Sequence, residues 1–174
     1  MTTSRELLRS QFKLAHQLLA GIMNDEVTDA VAASVPAGNV QPIGTIYAHL
    51  ALAEDWFISA RGYERPTLFE TGGWAEKTGI TAAMSPRMVP EWLEGATALN
   101  MAGVREYATA VFAQTDDALE FLGDAALARE VDAPLGGMTT VEGLFASLGV
   151  YHLVEHSGEI AALKGIQELK GLPF

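Results

Sequence analysis

The chain has 174 residues, enough to bury roughly two-thirds of its unfolded surface, and 1–174 is read as a single helical-bundle domain. Hydrophobic residues at 49% and charged residues at 19% exclude a disordered chain, and the absence of cysteine excludes disulfides, thiolate ligands and a cysteine nucleophile. Eleven Lys+Arg against 22 Asp+Glu give a formal charge of -11, a surface that repels phosphate backbones and anionic lipid, so neither nucleic acid nor membrane is an expected partner.

The first predicted helix runs from about Arg5 to Asn24. Thr3 and Glu6 have the spacing of a capping box, and Leu7, Leu8, Phe12, Ala15, Leu18, Leu19 and Ile22 recur at helical period. A connection holding Pro36, Gly38 and Asn39 follows. The second helix begins near Pro42, whose fixed φ suits a first turn, and reaches about Arg61, with Gly62 as its stop. Its inward face reads Ile46, His49, Leu52, Ala53, Trp56 and Ala60, which leaves Glu54 and Asp55 as surface charges.

From Tyr63 to about Pro90 the periodicity fades among Pro66, Gly72, Gly73, Gly79 and Pro86, with Phe69 and Trp74 as isolated large apolar side chains. So long a connection is either a lid or an irregularly packed stretch. The third helical region spans about Pro90 to Leu122, with a break at Gly95 or Gly103 as an option. A turn at Pro134, Gly136 and Gly137 leads to the fourth helix, where Thr139 and Glu142 have capping-box spacing and which continues to about Lys170, ahead of Gly171 and Pro173. Four long helical segments without a convincing alternating strand give an all-α four-helix bundle, with a long irregular connection between helices 2 and 3. No internal repeat stands out. No apolar run reaches the roughly 20 residues of a membrane span, and the opening Met1-Thr2-Thr3-Ser4-Arg5-Glu6 lacks the layout of a signal peptide, so the expected location is cytoplasmic.

The chemistry-bearing residues are the histidines. His152 and His156, four apart on the last helix, stack on one face where both reach a single ion. Taken alone, such a pair is more often two hydrogen-bonded or surface histidines. His49 alters that balance, because it puts a third imidazole on an inward stripe, and buried imidazoles need partners for their nitrogens. Three nitrogen ligands with one open position is the arrangement of a catalytic zinc site. Glu159, three past His156, returns to the same face as a partner of a ligand histidine, a general base, a fourth ligand, or a solvated helix glutamate. Glu155 turns toward the edge of the stripe. His16 lies beside Lys13, Gln17 and Ala20 and is read as solvent-facing.

Three stretches together resemble the DinB/YfiT-like metalloenzyme superfamily: Ile43-Gly44-Thr45-Ile46-Tyr47-Ala48-His49-Leu50 through Trp56, Tyr151-His152-Leu153-Val154-Glu155-His156-Ser157-Gly158-Glu159-Ile160, and the ending Leu169-Lys170-Gly171-Leu172-Pro173. The resemblance covers nearly the whole chain. It implies a commonly dimeric bundle with a long crossover and a divalent metal, zinc or nickel, held by residues corresponding to His49, His152 and His156. Some relatives, the mycothiol-dependent maleylpyruvate isomerases, have glutamate in place of the first histidine of the last-helix pair. The all-histidine version here is similar to the bacillithiol-transferase and YfiT branch. The implied activity is a thiol-dependent transferase or isomerase acting on small electrophiles, with a low-molecular-weight thiol as cofactor. A metal-dependent hydrolase and a non-catalytic, stress-associated metal-binding bundle remain the alternatives.

Overall fold

The computed structural model describes residues 3–34, 40–80, 99–134 and 136–174. Helix α1 (Ser4–Ile22) starts where the capping box predicts: the Thr3 hydroxyl accepts from the Glu6 amide at 3.2 Å and the Glu6 carboxylate accepts from the Thr3 amide at 2.8 Å. It buries Leu8, Phe12, Ala15, Leu19 and Ile22, a narrower stripe than the apolar pattern offers, since Leu7 is exposed. Short α2 (Asp29–Ala33) is capped by Thr28.

Helix α3 (Ile43–Asp55) follows Pro42 and runs on through wider π-type turns over Trp56–Gly62, where the Tyr63 amide reaches back five residues to the Ile58 carbonyl at 3.0 Å. All thirteen residues of α3 are buried. The segment expected to be irregular contains two short helices, α4 (Leu68–Thr71), capped by a Thr67/Glu70 box, and α5 (Trp74–Thr78). Residues 81–98, with the rest of that connection and the expected start of the third helix at Pro90, lie outside the described residues. Helix α6 (Met101–Phe121) is capped by Asn100, whose side-chain oxygen accepts from the Gly103 amide.

Short α7 (Asp124–Leu127) leads into an antiparallel ribbon of β1 (Glu130–Asp132) and β2 (Met138–Thr140), which reverses where Gly136 and Gly137 take positive φ. The sequence marks the turn, but three-residue strands are too short to show an alternating pattern. The fourth helix is α8 (Val141–Leu144), π-type turns over Phe145–Val150, and α9 (Tyr151–Ile166). Its cap is Thr140, the last residue of β2, which accepts from the Gly143 amide at 3.0 Å, not Thr139 one residue earlier. It ends four residues before Lys170, with Glu168 at φ 61.

The long helices form a four-helix bundle. Helix α1 packs on α6 and α9, and α3 packs on α6 and α9, which sets α1 and α3 on one diagonal. The bundle thus has α3 and α9 as neighbours, and the three predicted ligands sit on these two helices.

Two buried charges fix the connections. The wholly buried Asp55 carboxylate accepts from the Ser59 hydroxyl (2.8 Å), the Tyr107 hydroxyl (2.6 Å), the Gln114 amide (3.3 Å) and the Leu68 and Phe69 backbone amides (3.0 and 2.9 Å). The last two are free N–H groups at the start of α4, so Asp55 ties the 63–80 segment to the bundle. Phe69 and Trp74 pack their rings against Tyr107, with centroids 5.7 and 5.3 Å away. Lys164, also wholly buried, donates to the terminal Ile22 carbonyl of α1 (2.7 Å), to Asn24 (3.1 Å) and to Glu26 (3.3 Å), joining α9 to the end of α1.

Replacing Asp55 by Ala strands several buried donors and should lower unfolding free energy by about 3 kcal/mol in urea denaturation. A change within about 0.5 kcal/mol, the range of ordinary surface substitutions, would contradict the tethering role. Gly103→Ala places a methyl 2.0 Å from the Lys77 carbonyl oxygen, a backbone atom that cannot move aside independently. It should cost about 1–3 kcal/mol by the same measurement.

Candidate metal centre

A helix buried on every side can carry polar groups only where the protein supplies partners. His49 of α3, 6% exposed, finds them on α9. Its Nε2 lies 3.0 Å from Nε2 of His152, and its ring centroid lies 4.9 Å from that of His152 and 5.5 Å from that of His156. The four-residue spacing on α9 brings the His152 and His156 centroids to 4.6 Å with the rings edge to face. One ring nitrogen from each of the three residues falls within 4.8 Å of the other two. The structure therefore brings together the three histidines singled out in the sequence.

Glu159 joins the cluster through its second layer. Its Oε2 accepts from Nδ1 of His156 at 2.7 Å, and its side chain is 37% exposed. A carboxylate can only accept, so this bond places a proton on Nδ1, and in the neutral tautomer the lone pair of His156 is on Nε2. Phe57, in the π-type turns that follow α3, packs its ring 6.3 Å from that of His152. Of the four roles open to Glu159 in the sequence, the geometry fits the partner of a histidine.

Burial sets the protonation of the other two rings. It pushes His49 down to about 4, with His156 adding like-charge repulsion, and pushes His152 down to about 3, with His49 and His156 adding to it. Neutral imidazoles are the form that donates a lone pair to a cation. Two facing Nε2 atoms at 3.0 Å repel unless one carries a proton or a cation lies between their lone pairs. Nitrogens bound at about 2.0–2.1 Å to one ion stand a little over 3 Å apart, so the His49/His152 separation and the all-imidazole donor set both fit a divalent metal.

Other expectations need correction. Glu54, Asp55 and His16 are not surface groups: Glu54 is 2% exposed and the His16 side chain 15%. His16 Nε2 lies 2.9 and 3.1 Å from the two Glu54 oxygens, and the Thr115 hydroxyl donates to the same carboxylate. The sequence held a signal for this, because Ile43–Asp55 is apolar around its whole circumference and offers no solvent face for acids. Glu155 is exposed on α9, in keeping with its position at the edge of the stripe.

Comparisons with known proteins agree with this fold. The family model described as DinB superfamily matches residues 8–160. A conserved protein from Enterococcus faecalis, known from its crystal structure, superimposes with a TM-score of 0.76 at 19% identity, covering 94% of this chain and 96% of that one. The crystal structure of a mutant mycothiol-dependent maleylpyruvate isomerase superimposes with a TM-score of 0.56 at 18% identity, covering 94% of this chain and 63% of that longer one. No curated protein sequence matches the chain. No described helix is long and apolar enough to cross a membrane.

The lowered histidine values generate a pH dependence for the metal-free protein. Below the ordinary value near 6.5 the unfolded chain takes up protons that folded His49 and His152 refuse, so stability must fall as pH drops from about 6.5 toward 4. Urea denaturation from about pH 7.5 to 4 should show this decline, and His152→Gln should flatten it. A wild-type profile that is level across the window, or an unaltered slope in the variant, would disprove the assignment.

Proposed function

The chain belongs to the DinB superfamily, and from that premise we propose that it is a divalent-metal-dependent enzyme, with zinc or nickel held by His49, His152 and His156 and with a low-molecular-weight thiol as co-substrate. The observation that carries the reading is the meeting of three imidazoles from two adjacent helices at one point. Three protein ligands leave a position free for a reactant, which separates this arrangement from the closed four-ligand sites that only stabilise a fold. A bound divalent ion supplies charge that favours a thiolate over its thiol at neutral pH.

The chain's own residues do the rest. His49 and His152 stay neutral through burial, so their lone pairs remain available at physiological pH. Glu159 fixes the tautomer of His156 and, being partly exposed, can pass a proton between that ring and solvent. The ring of Phe57 packs edge to face beside His152. The expected substrate is a small electrophile, and the reaction a transfer to the thiol or a thiol-assisted isomerisation. The thiol part takes its support from the superfamily and from the mycothiol dependence of the isomerase that shares this fold. A homodimer in the cytoplasm is the proposed setting. Direct hydrolysis by water is the competing chemistry, and thiol dependence of turnover decides between them.

Mass spectrometry of dialysed protein should find about one equivalent of divalent metal in the wild type, with His49→Ala and His152→Ala retaining little. Glu159→Gln should weaken metal affinity about 10–100-fold while leaving the helical content intact. Conversion of an electrophilic test substrate should need both the metal and an added thiol. Full metal retention by both alanine variants would refute the centre, and turnover that ignores thiol would favour the hydrolase.

A further inference from the structure

A second chemical group lies away from the three histidines, on the α1 side of the bundle. A cavity of about 630 Å³ lies between α1 and α6, lined by Arg9, Phe12, Lys13, His16, Gln17 and Phe112 among others. This volume is in the range of small-molecule sites, and none of the three clustered histidines lines it. The His16 ring is held on two sides. It stacks on Phe112 with centroids 3.9 Å apart and planes 16° from parallel, and it packs 5.8 Å from Phe12. Across the bundle diagonal its Nε2 meets the buried Glu54 carboxylate. Because a carboxylate only accepts, Nε2 carries the proton, and in the neutral ring Nδ1 keeps its lone pair. That Nδ1 has no hydrogen-bond partner among the described residues, and it is not among the polar atoms sealed from solvent. Arg9, on the same lining, is occupied by Asp116 and Glu120 at 2.6–2.8 Å.

The cavity thus offers the half-buried Phe112 ring and a fixed imidazole acceptor, with the Lys13 ammonium and the Glu6 and Asp116 carboxylates on the same lining. We propose that it is a binding site for a planar aromatic ligand bearing a hydroxyl group, a phenol in chemical class. The ring lies against Phe112, and the hydroxyl donates its hydrogen bond to Nδ1 of His16. Glu54 acts as a positioning residue, fixing which nitrogen faces the ligand. No bond to carbon is made or broken.

The test uses full-length protein with histidine-ring nitrogens labelled, titrated at about pH 8, where an ordinary histidine is neutral. The probes are p-cresol, 4-methylanisole, which lacks the hydroxyl proton, and toluene. p-Cresol should bind saturably, about five-fold tighter than the other two, and should move the His16 Nδ1 resonance. His16→Phe should keep aromatic binding and lose the preference for p-cresol. His152→Ala should leave the p-cresol titration unchanged, which separates this site from the metal centre. The wild-type resonance measurement stands even if the His16 variant folds poorly. Equal affinities for the three probes, shifts confined to His49, His152 and His156, or a second copy of the chain covering the α1–α6 face in solution would each overturn the proposal.

Discussion

The structure turns on one helix that has no side facing water. Every residue of Ile43–Asp55 is buried, yet the segment carries a histidine, a glutamate and an aspartate. Leaving any of them unpartnered would cost the full desolvation of the group. Each therefore recruits atoms from another element, and each recruitment settles a different part of the architecture.

His49 turns to α9 and creates the imidazole cluster. Glu54 turns the other way, to His16 of α1 and Thr115 of α6. Asp55 collects Tyr107 and Gln114 from α6 and the first amides of α4, which holds the 63–80 segment to the bundle. Had α3 been amphipathic, its acids would have faced solvent and neither the tether nor the His16 pairing would exist. Site and scaffold share one cause, the burial of polar groups on a central helix.

Much of this was legible in the sequence, for identifiable reasons. The capping box at Thr3 and Glu6 is a local signal, and the structure shows both of its bonds. The pairing of His152 with His156 needs only helical spacing, and the place of His49 on an apolar stripe needs only the period of its helix. The misreadings came where local pattern and tertiary context diverge. Glu54 and Asp55 read as surface charges because acids usually are, although the apolar circumference of Ile43–Asp55 leaves them no solvent face. Thr139 and Thr140 are adjacent and chemically alike, and only the point at which the chain leaves β2 for the helix makes Thr140 the cap. The π-type turns at Trp56–Gly62 and Phe145–Val150 have no compositional mark and shift side chains out of simple helical phase.

The link between His16 and Glu54 joins the two helices on one diagonal of the bundle, through its interior. A bond in that position has an evolutionary consequence. Losing the imidazole alone strands an acid, and losing the acid alone leaves a ring nitrogen without its partner, so either change by itself costs stability. Across descendants of this sequence the two positions should be inherited or exchanged together, with Thr115 drifting alongside them.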